Sequence, residues 1–490
     1  MEEKPANVDM IFKDEKNTVT TILRKKKVIG KNVLVITPGE QDIYEIINDI
    51  STMDEYNDYS VLPLHSKLTF EEIQEVIYKI DGKRIIVATN IVENSITLKG
   101  LQVVIDMGLR KKNIIDDQGR IHLITKLAAK SNIIQAAGRV GREEERGTAY
   151  ILLTKKLFDG LDDFPVPEIY DTNIYFHITT LLRGDYPIEE ILKEEKLKRN
   201  FNRDLIQLYS VGFISSSASP TILGTFGTLK DYSSIKLTDR GLIFTKLNLS
   251  LNCSDFLINV LLQNDVDGRY TAVIIASFIN LQGGIFYKPK RKYKESAENY
   301  RTRLDEVLNK QRKWIDGHID CIETLLDVWI SDPKYSEAGL YSKSMYLLKK
   351  TVEKTCSSLE ELGFEIDYEI YPLVYRKKLL LDLYSVFYDE DINTKQGKII
   401  QYGPSDKYYK STDGTNRFLD FPLDIFCDPN VENKEFYNKL VVMDQPIISD
   451  FAKSKLTSYT YIYSDIWINL IFPYLNISEI SKIINMVIKR

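Results

Sequence analysis

Residues Gly82–Thr97 read GKRIIVATNIVENSIT, an apolar run followed at once by a segment rich in Thr, Asn and Ser. The run Arg84–Ala88 (RIIVA) is typical of a buried strand, and the polar segment is typical of the loop that leaves its carboxyl end. Similar apolar runs occur at Val33–Thr37, Val61–Leu64 and Val103–Asp106. These runs alternate with helix-like segments, which predicts an α/β domain built on a parallel sheet.

The intervening segments have the spacing of amphipathic helices. Gln41–Ile50 (QDIYEIINDI) places apolar residues three and four apart, and Thr69–Ile80 opens with a Thr followed by Glu72, as a capping box does. Ser131–Ala137 indicates the start of another helix, and Thr148–Leu153 (TAYILL) another strand. The alternation therefore extends over about the first 160 residues of the chain.

The whole chain has 490 residues, a length that favours several domains. We place the boundaries where the pattern changes. Residues 1–163 form the α/β domain, residues 164–246 mix short helices with a Ser/Gly-rich hairpin or loop at Ser215–Gly227, residues 247–365 are mainly helical, and residues 366–490 alternate short β-like runs with turns.

The charge balance and the spacing of the cysteines exclude several classes of protein. There are 65 basic and 70 acidic residues, so the net charge of −5 does not mark a nucleic-acid binder by itself. No run approaches the roughly 18 apolar residues of a membrane span, and the first residues, MEEKP, lack the apolar core of a signal peptide. The four cysteines are far apart and lack CxxC spacing, and the four histidines lack ligand spacing, so we expect reduced thiols and no metal site.

The segment Gln135–Arg142 (QAAGRVGR) carries the most specific chemistry. Arg139 and Arg142 are three residues apart, which on one helical turn would point two guanidinium groups at a single anion. Arginine binds phosphate with a planar fork and keeps its charge, so the pair suits a transferring phosphoryl group. The alternative is a surface pair bridged to the acidic residues that follow, Glu143–Glu145.

The polar loop Thr89–Thr97 is the second candidate site. A loop at the carboxyl end of a parallel strand is where open α/β sheets place ligands, and Thr, Asn and Ser offer short hydrogen-bonding groups to phosphate or sugar. The alternative is an ordinary strand-to-helix loop with a Ser or Thr cap.

Taken together, these segments resemble the DEAH-box (DEAH/RHA) group of superfamily 2 RNA helicases. Five of them occur in the family's order and at its spacing: Val33–Ile43, Leu62–Gln74, Gly82–Thr97, Lys130 and Gln135–Arg142. The last is similar to the family's motif VI, QRxGRxGR, and Gly82–Thr97 to its motif V. The resemblance implies a RecA-like domain for the first part of the chain.

The resemblance continues beyond residue 163. Val166–Ile174 looks like the start of the family's winged-helix domain, Leu237–Leu249 like the entry to its helical ratchet domain, and Gly403–Phe426, more weakly, like its OB-fold. The implied architecture is a multidomain chain: an α/β RecA-like domain, then winged-helix, helical ratchet and OB-fold-like β domains with a C-terminal helix.

The resemblance assigns roles to matching residues. Arg139 and Arg142 would be arginine fingers, and Gln135 and Thr97 would join them at the nucleotide. Thr89, Asn90, Lys83 and Lys130 would hold the RNA backbone. The basic stretch Lys288–Lys294 would lie near the RNA channel. The implied cofactor is ATP with Mg²⁺, whose metal ligands would belong to a first RecA-like domain.

The sequence also departs from the family pattern. Ala136 replaces an arginine of motif VI, Lys99 replaces an acidic residue that usually contacts the ribose, and Asp171 replaces another arginine. The 490 residues contain no GxxxxGK[ST] and no DEAH box, which supply the phosphate cradle and the Mg²⁺ carboxylate. Asn7–Phe12 (NVDMIF) resembles the segment where the family's first RecA-like domain passes to the second.

Two functions remain open. The first is the C-terminal half of an ATP-dependent RNA helicase, inactive alone, whose partners would be single-stranded RNA, a polypeptide with the first RecA-like domain and a G-patch-type activator. The second is a non-motor scaffold that binds RNA or protein. For either we expect an intracellular protein, cytoplasmic or nuclear, without a membrane partner. Frequent Ile, Lys and Asn favour an AT-rich, for instance viral, genome.

Overall fold

The structure is a computed structural model that describes most of residues 7–370 and several strands between 399 and 461. Within 7–370 the residues not described are 15, 67, 69, 79–81, 95–97, 116–120, 143–145, 185, 187, 189–194, 217–231, 233, 264–266, 282–284, 288 and 316–320. Thr97 and Glu143–Glu145 lie outside the described residues, as do Gly403 and most of the predicted OB-like region.

A parallel sheet of six strands organises the first part of the chain. Its strands are β1 (Val8–Phe12), β2 (Val33–Ile36), β3 (Ser60–Leu64), β4 (Arg84–Ala88), β5 (Val103–Asp106) and β8 (Gly147–Ile151). They lie in the order β1-β8-β5-β2-β4-β3, and every neighbouring pair is parallel. The predicted α/β domain with a parallel sheet is therefore confirmed, and the bounds predicted for β4 and β5 are the observed ones.

Helices cover both faces of this sheet. They are α1 (Val19–Leu23), α2 (Glu40–Ser51), α3 (Phe70–Tyr78), α4 (Ile91–Asn94), α5 (Lys130–Ala137) and α6 (Lys155–Asp159), with a 3-10 turn at Asp54–Tyr56. Successive residues of a strand point to opposite faces, so Leu34 and Ile36 join one apolar core while Val33 and Val35 join another. The first core packs against α3 and α5, and the second packs against α1 and α2.

Two further strands, β6 (Leu109–Ile115) and β7 (Ile121–Leu127), follow β5 and pair with each other outside the main sheet. The pattern analysis did not predict them, because β6 reads LRKKNII and its three consecutive basic residues resemble a solvated loop. Residues 447–449 pair in parallel with the start of β7.

Residues 168–370 are mainly helical. The helices are Tyr175–Arg183, Glu195–Ser210, Asp239–Phe244, Leu251–Leu261, Arg269–Asn280, Ala297–Ile315, Cys321–Ser331 and Ser342–Glu361, with a 3-10 turn at Glu168–Tyr170. Strands Ile214–Ser216 and Ile235–Leu237 pair in antiparallel fashion. The predicted hairpin or loop at Ser215–Gly227 thus begins inside a strand, and its remainder lies outside the described residues.

Seven strands are described beyond residue 370: Ile399–Tyr402, Asp406–Lys410, Asn416–Leu419, Val441–Val442, Ile447–Ser449, Ser454–Leu456 and Thr460–Tyr461. By contacts, the chain divides into two compact units. Unit 1 comprises Met1–Lys112, Ile124–Pro167 and Lys288–Asp305, and unit 2 comprises Asn113–Leu123, Glu168–Tyr287 and Glu306–Arg490.

Candidate nucleotide and nucleic-acid site

The loops that leave β2, β3 and β4 lie together at the carboxyl edge of the sheet. Thr37 donates its backbone N–H to the carbonyl of Ala88 at 2.8 Å, and Thr89 donates to the carbonyl of Leu64 at 3.2 Å. Thr89 is half-buried and Asn90 is exposed, directly ahead of α4. The edge thus presents short polar groups, of the kind that hydrogen-bond to phosphate or sugar oxygens.

Lys83 lies at the opposite edge of the sheet. It precedes β4 whereas Thr89 follows it, and a strand of five residues spans about 17 Å. Lys83 pairs there with Asp58 at 3.2 Å, and both side chains are about half exposed. The structure therefore does not bring Lys83 together with Thr89 and Asn90.

The two candidate arginines lie in a turn beyond α5. The helix ends at Ala137, so the expectation that both occupy one helical turn is wrong. Gly138 caps the helix, and Gly141 has a φ of +70°, which favours glycine. Arg142 donates from Nε to the carbonyl of Gly138 at 2.8 Å, which closes the turn.

The environment of Arg139 suits an anion. The side chain is half-buried, and both burial and the neighbouring charge of Arg142 lower the pKa of its guanidinium. Two positive charges held close together repel each other, so a bound anion would reduce the repulsion between Arg139 and Arg142. Among the described residues no carboxylate pairs with Arg142, and the acidic residues of the alternative interpretation, Glu143–Glu145, are outside that set.

Gln135 and Ala136 occupy the last turn of α5. Gln135 is half-buried, whereas Ala136 is fully buried in the core between α5 and the sheet. Position 136, where the DEAH-box family has an arginine, is therefore occupied here by a core residue.

Lys130 begins α5 and is engaged within the chain. Its Nζ pairs with Asp163 at 2.9 Å, and this partner lowers the pKa of the Asp163 carboxyl. The backbone N–H groups of Lys130 and Ser131 donate to the carbonyls of Asp162 and Asp163. The two aspartates thus satisfy the first donors of the helix.

A buried charged cluster of Glu93, Asp106 and Arg110 lies beside this site and was not predicted from the sequence. Arg110 forks onto Asp106 with two hydrogen bonds of 2.9 and 2.8 Å, and its Nε donates to Glu93. Burial raises the pKa of the Glu93 carboxyl, and Arg110 acts in the opposite direction. Burial acts to lower the pKa of Arg110, but Asp106 and Glu93 outweigh it and the net pKa is raised. In the sequence, only the spacing of four residues between Asp106 and Arg110 could have indicated this ion pair.

The described residues of the basic stretch, 289–294, belong to unit 1 and contact other parts of it. Lys290 pairs with Glu40 at 3.1 Å and lies over the ring of Tyr44, and Lys294 donates to the Asn57 side chain at 2.6 Å. Arg291 donates from Nε to the carbonyl of Glu295 at 2.9 Å, so three of the four described basic side chains of this stretch make contacts within the protein.

The described residues lack two features. No group of three or more His, Cys, Asp or Glu could hold a metal ion. No described helix is both long and apolar enough to cross a membrane.

The fold and the site together define a RecA-like α/β domain with a polar carboxyl edge and an arginine turn. Residues 14–144 match the model of the helicase conserved C-terminal domain. Over 141 residues the chain is 36% identical to a putative ATP-dependent RNA helicase of Saccharomyces cerevisiae, covering 28% of this chain and 10% of that protein. Over 209 residues it is 30% identical to a putative ATP-dependent RNA helicase of Acanthamoeba polyphaga mimivirus, covering 40% and 29%.

The folded chain is also similar to a solved structure, the DExH-box NTPase HrpB of E. coli. The TM-score is 0.56 at 14% identity, covering 95% of this chain and 48% of HrpB, so the likeness is one of fold. The resemblance to DExH-type RNA helicases is thus confirmed, and it is centred on the helicase C-terminal domain. The chain spans less than a third of the length of the yeast and mimivirus relatives.

Proposed function

We propose that this chain is the C-terminal half of an ATP-dependent DEAH-type RNA helicase. Arg139 and Arg142, with Gln135 and Thr97, would complete an ATP site whose phosphate cradle belongs to a first RecA-like domain outside these 490 residues. The observation that carries the proposal is the arginine turn, which places Arg139 and Arg142 together just beyond the end of α5, where two guanidinium groups can bind one phosphate.

Single-stranded RNA would bind along the carboxyl edge of the sheet, where Thr89 and Asn90 offer hydrogen bonds to its backbone. Lys130 would contribute after exchanging Asp163 for a phosphate. Lys83 lies at the other edge, and we leave it out of this proposal. A G-patch-type activator is a further proposed partner.

The regions after the RecA-like domain would guide the single-stranded RNA. Helices Tyr175–Arg183 and Glu195–Ser210 with the antiparallel strand pair support a winged-helix domain for residues 164–246. The helices from Leu251 to Glu361 support a ratchet-like domain for residues 247–365. For residues 366–490 the described short strands favour an OB-like β domain.

ATP fits the described residues through its phosphates, because two neighbouring arginines can bind them. When bound, ATP with Mg²⁺ would supply the transferable phosphoryl group. The chain's own residues would orient that group and stabilise its charge. They offer no described ligand set for the metal.

The test is ATP turnover with single-stranded RNA, measured on the full chain alone and mixed with polypeptides that carry a first RecA-like domain. We expect turnover only in the mixture, and expect Arg139→Ala or Arg142→Ala to lower kcat by about a thousandfold. Arg146→Ala is the matched control, because Arg146 is an exposed arginine of the same unit paired with Asp9. Turnover that survives both substitutions would contradict the proposal.

A non-motor scaffold is the second candidate, and buried Ala136 favours it because the site has one arginine fewer than the family's motif VI. It predicts no turnover in any mixture, together with salt-sensitive RNA binding by the chain alone.

A further inference from the structure

Glu93 forms hydrogen bonds near both ends of α5. Its Oε2 accepts a hydrogen bond from Nδ2 of Asn132 at 2.9 Å, and Asn132 is the third residue of the helix. Its backbone carbonyl accepts a hydrogen bond from the guanidinium of Arg139, two residues beyond the helix end. One residue of α4 therefore bridges the start of α5 and the arginine turn.

The carboxylate of Glu93 is itself held rigidly. Its Oε1 accepts from Nε of Arg110, whose two terminal nitrogens are fixed by Asp106. Asp106 is fully buried at the end of β5 and also accepts from the backbone N–H of Gly108 at 2.8 Å. Because Asp106 holds the planar guanidinium of Arg110 in place, the Glu93 carboxylate bound to it has little freedom to rotate.

The cluster of Glu93, Asp106 and Arg110 carries a net negative charge, and Arg139 lies beside it. Glu93 and Asp106 contribute two buried negative charges, and Arg110 contributes one positive charge. Burial and the charge of Arg142 lower the pKa of Arg139, and the nearby Glu93 carboxylate acts in the opposite direction. Attraction from the cluster thus draws the guanidinium towards the Glu93 carbonyl.

We propose, on the basis of the function proposed above, that Glu93 is a positioning residue for Arg139. Its carboxylate, clamped by Arg110 and Asn132, fixes the carbonyl that orients the Arg139 guanidinium for the nucleotide phosphate. Strand β6 thus supports the arginine turn through Arg110 and Glu93.

The first test uses the full chain alone. Arg139 and Arg142 are modified with phenylglyoxal, and mass spectrometry gives a rate for each. Glu93→Gln keeps the shape of the side chain but removes its charge and one acceptor for Asn132. We expect Arg139 to react several-fold faster in this variant while Arg142 keeps its wild-type rate.

Controls separate positioning from loss of fold. Asp9→Asn removes the exposed partner of Arg146 and should leave the Arg139 rate unchanged. An unchanged Arg139 rate in Glu93→Gln overturns the proposal. So does a parallel rise at Arg139 and the buried Arg110 with a lower melting temperature, because that pattern signals unfolding. If Glu93→Gln fails to fold, Asn132→Ala removes one clamp without leaving a charge unpaired, and the same rates decide.

The second test uses ATP turnover in the mixture with a first RecA-like domain. We expect Glu93→Gln to lower kcat about tenfold without changing the KM for RNA, since a misplaced group weakens only the transition state. In an Arg139→Ala background the same substitution should add no further loss. Additive losses would overturn the proposal. If the wild-type mixture shows no turnover, the proposed helicase function fails while the labelling rates still decide the role of Glu93.

Discussion

Tyr293 donates a hydrogen bond from its phenolic hydroxyl to the backbone carbonyl of Tyr56 at 3.1 Å, across 237 residues of sequence. Both residues belong to unit 1, and the hydroxyl of Tyr56 in turn donates to the carbonyl of Leu23 at 2.6 Å. The next residue, Lys294, has a φ of +57° and holds Asn57 through its Nζ. A short segment from late in the chain is thus fastened to the RecA-like unit.

Tyr293→Phe removes this hydrogen bond and should lower the free energy of unfolding of unit 1 by about 1 kcal/mol. Hydrogen exchange of the amides in α2 and β2 measures the change. Tyr78→Phe is the matched control, since Tyr78 is 70% exposed, and it should leave exchange unchanged. Equal exchange in both variants would show that the segment adds nothing to the stability of the unit.

Gly141→Ala tests the arginine turn. An alanine there must adopt a φ of +70°, and its Cβ would collide with the carbonyl oxygen of Asn7, so we expect a loss of about 2 kcal/mol or more. Gly82→Ala is the control with a φ of +82° and no atom within 4 Å of the added Cβ, and it should cost about 1 kcal/mol. Chemical denaturation compares them, and equal losses would mean that close packing at Gly141 is unimportant.

Asp204 should make stability depend on pH. Burial raises the pKa of this carboxyl from 3.8 to about 6, although Arg203 and the N–H of Ile174 favour its charged form. The folded state then binds the proton more tightly than the unfolded state, so this group's contribution falls as the pH rises from about 4 to about 6. The full difference is at most about 3 kcal/mol.

Asp204→Asn removes this titration while keeping an acceptor for the Ile174 N–H, which the present side chain binds at 2.5 Å. The melting temperature of the variant relative to the wild type should therefore rise between pH 4 and pH 7. A difference that stays constant over that range would contradict the raised pKa.

Cys356 should resist alkylation in the folded protein. Burial raises the pKa of its thiol to about 12, and the reactive species is the thiolate. Iodoacetamide at about pH 8, followed by mass spectrometry, should find Cys356 unmodified until denaturant is added. Rapid labelling in native buffer would show that the helix Ser342–Glu361 opens readily.

Sequence patterns predicted the strands best where both faces of the sheet are buried. Arg84–Ala88 and Val103–Asp106 are continuous apolar runs, and such runs have few alternative structures. The strand Leu109–Ile115 was missed because its three consecutive basic residues resemble a solvated loop, although Arg110 is buried against Asp106 and Glu93. Cys253 and Cys356 are both buried and neither forms a disulfide, which agrees with the expectation of reduced thiols.

The candidate site was predicted only in part. The arginine pair was found from its spacing, but the end of α5 at Ala137 places it in a turn, and glycine signals at 138 and 141 could have indicated that. Lys83 was grouped with Thr89 although strand polarity separates them. Glu93 was not singled out, because a buried ion pair depends on partners that only the fold brings together.

The fastening of residues 288–305 to unit 1, while the sequence on either side belongs to unit 2, makes the RecA-like unit discontinuous along the gene. A recombination or truncation after Pro167 would separate the unit from Tyr293 and Lys294. The module is therefore hard to transplant as one contiguous block, and its inheritance is tied to that of the helical region in which the segment is embedded.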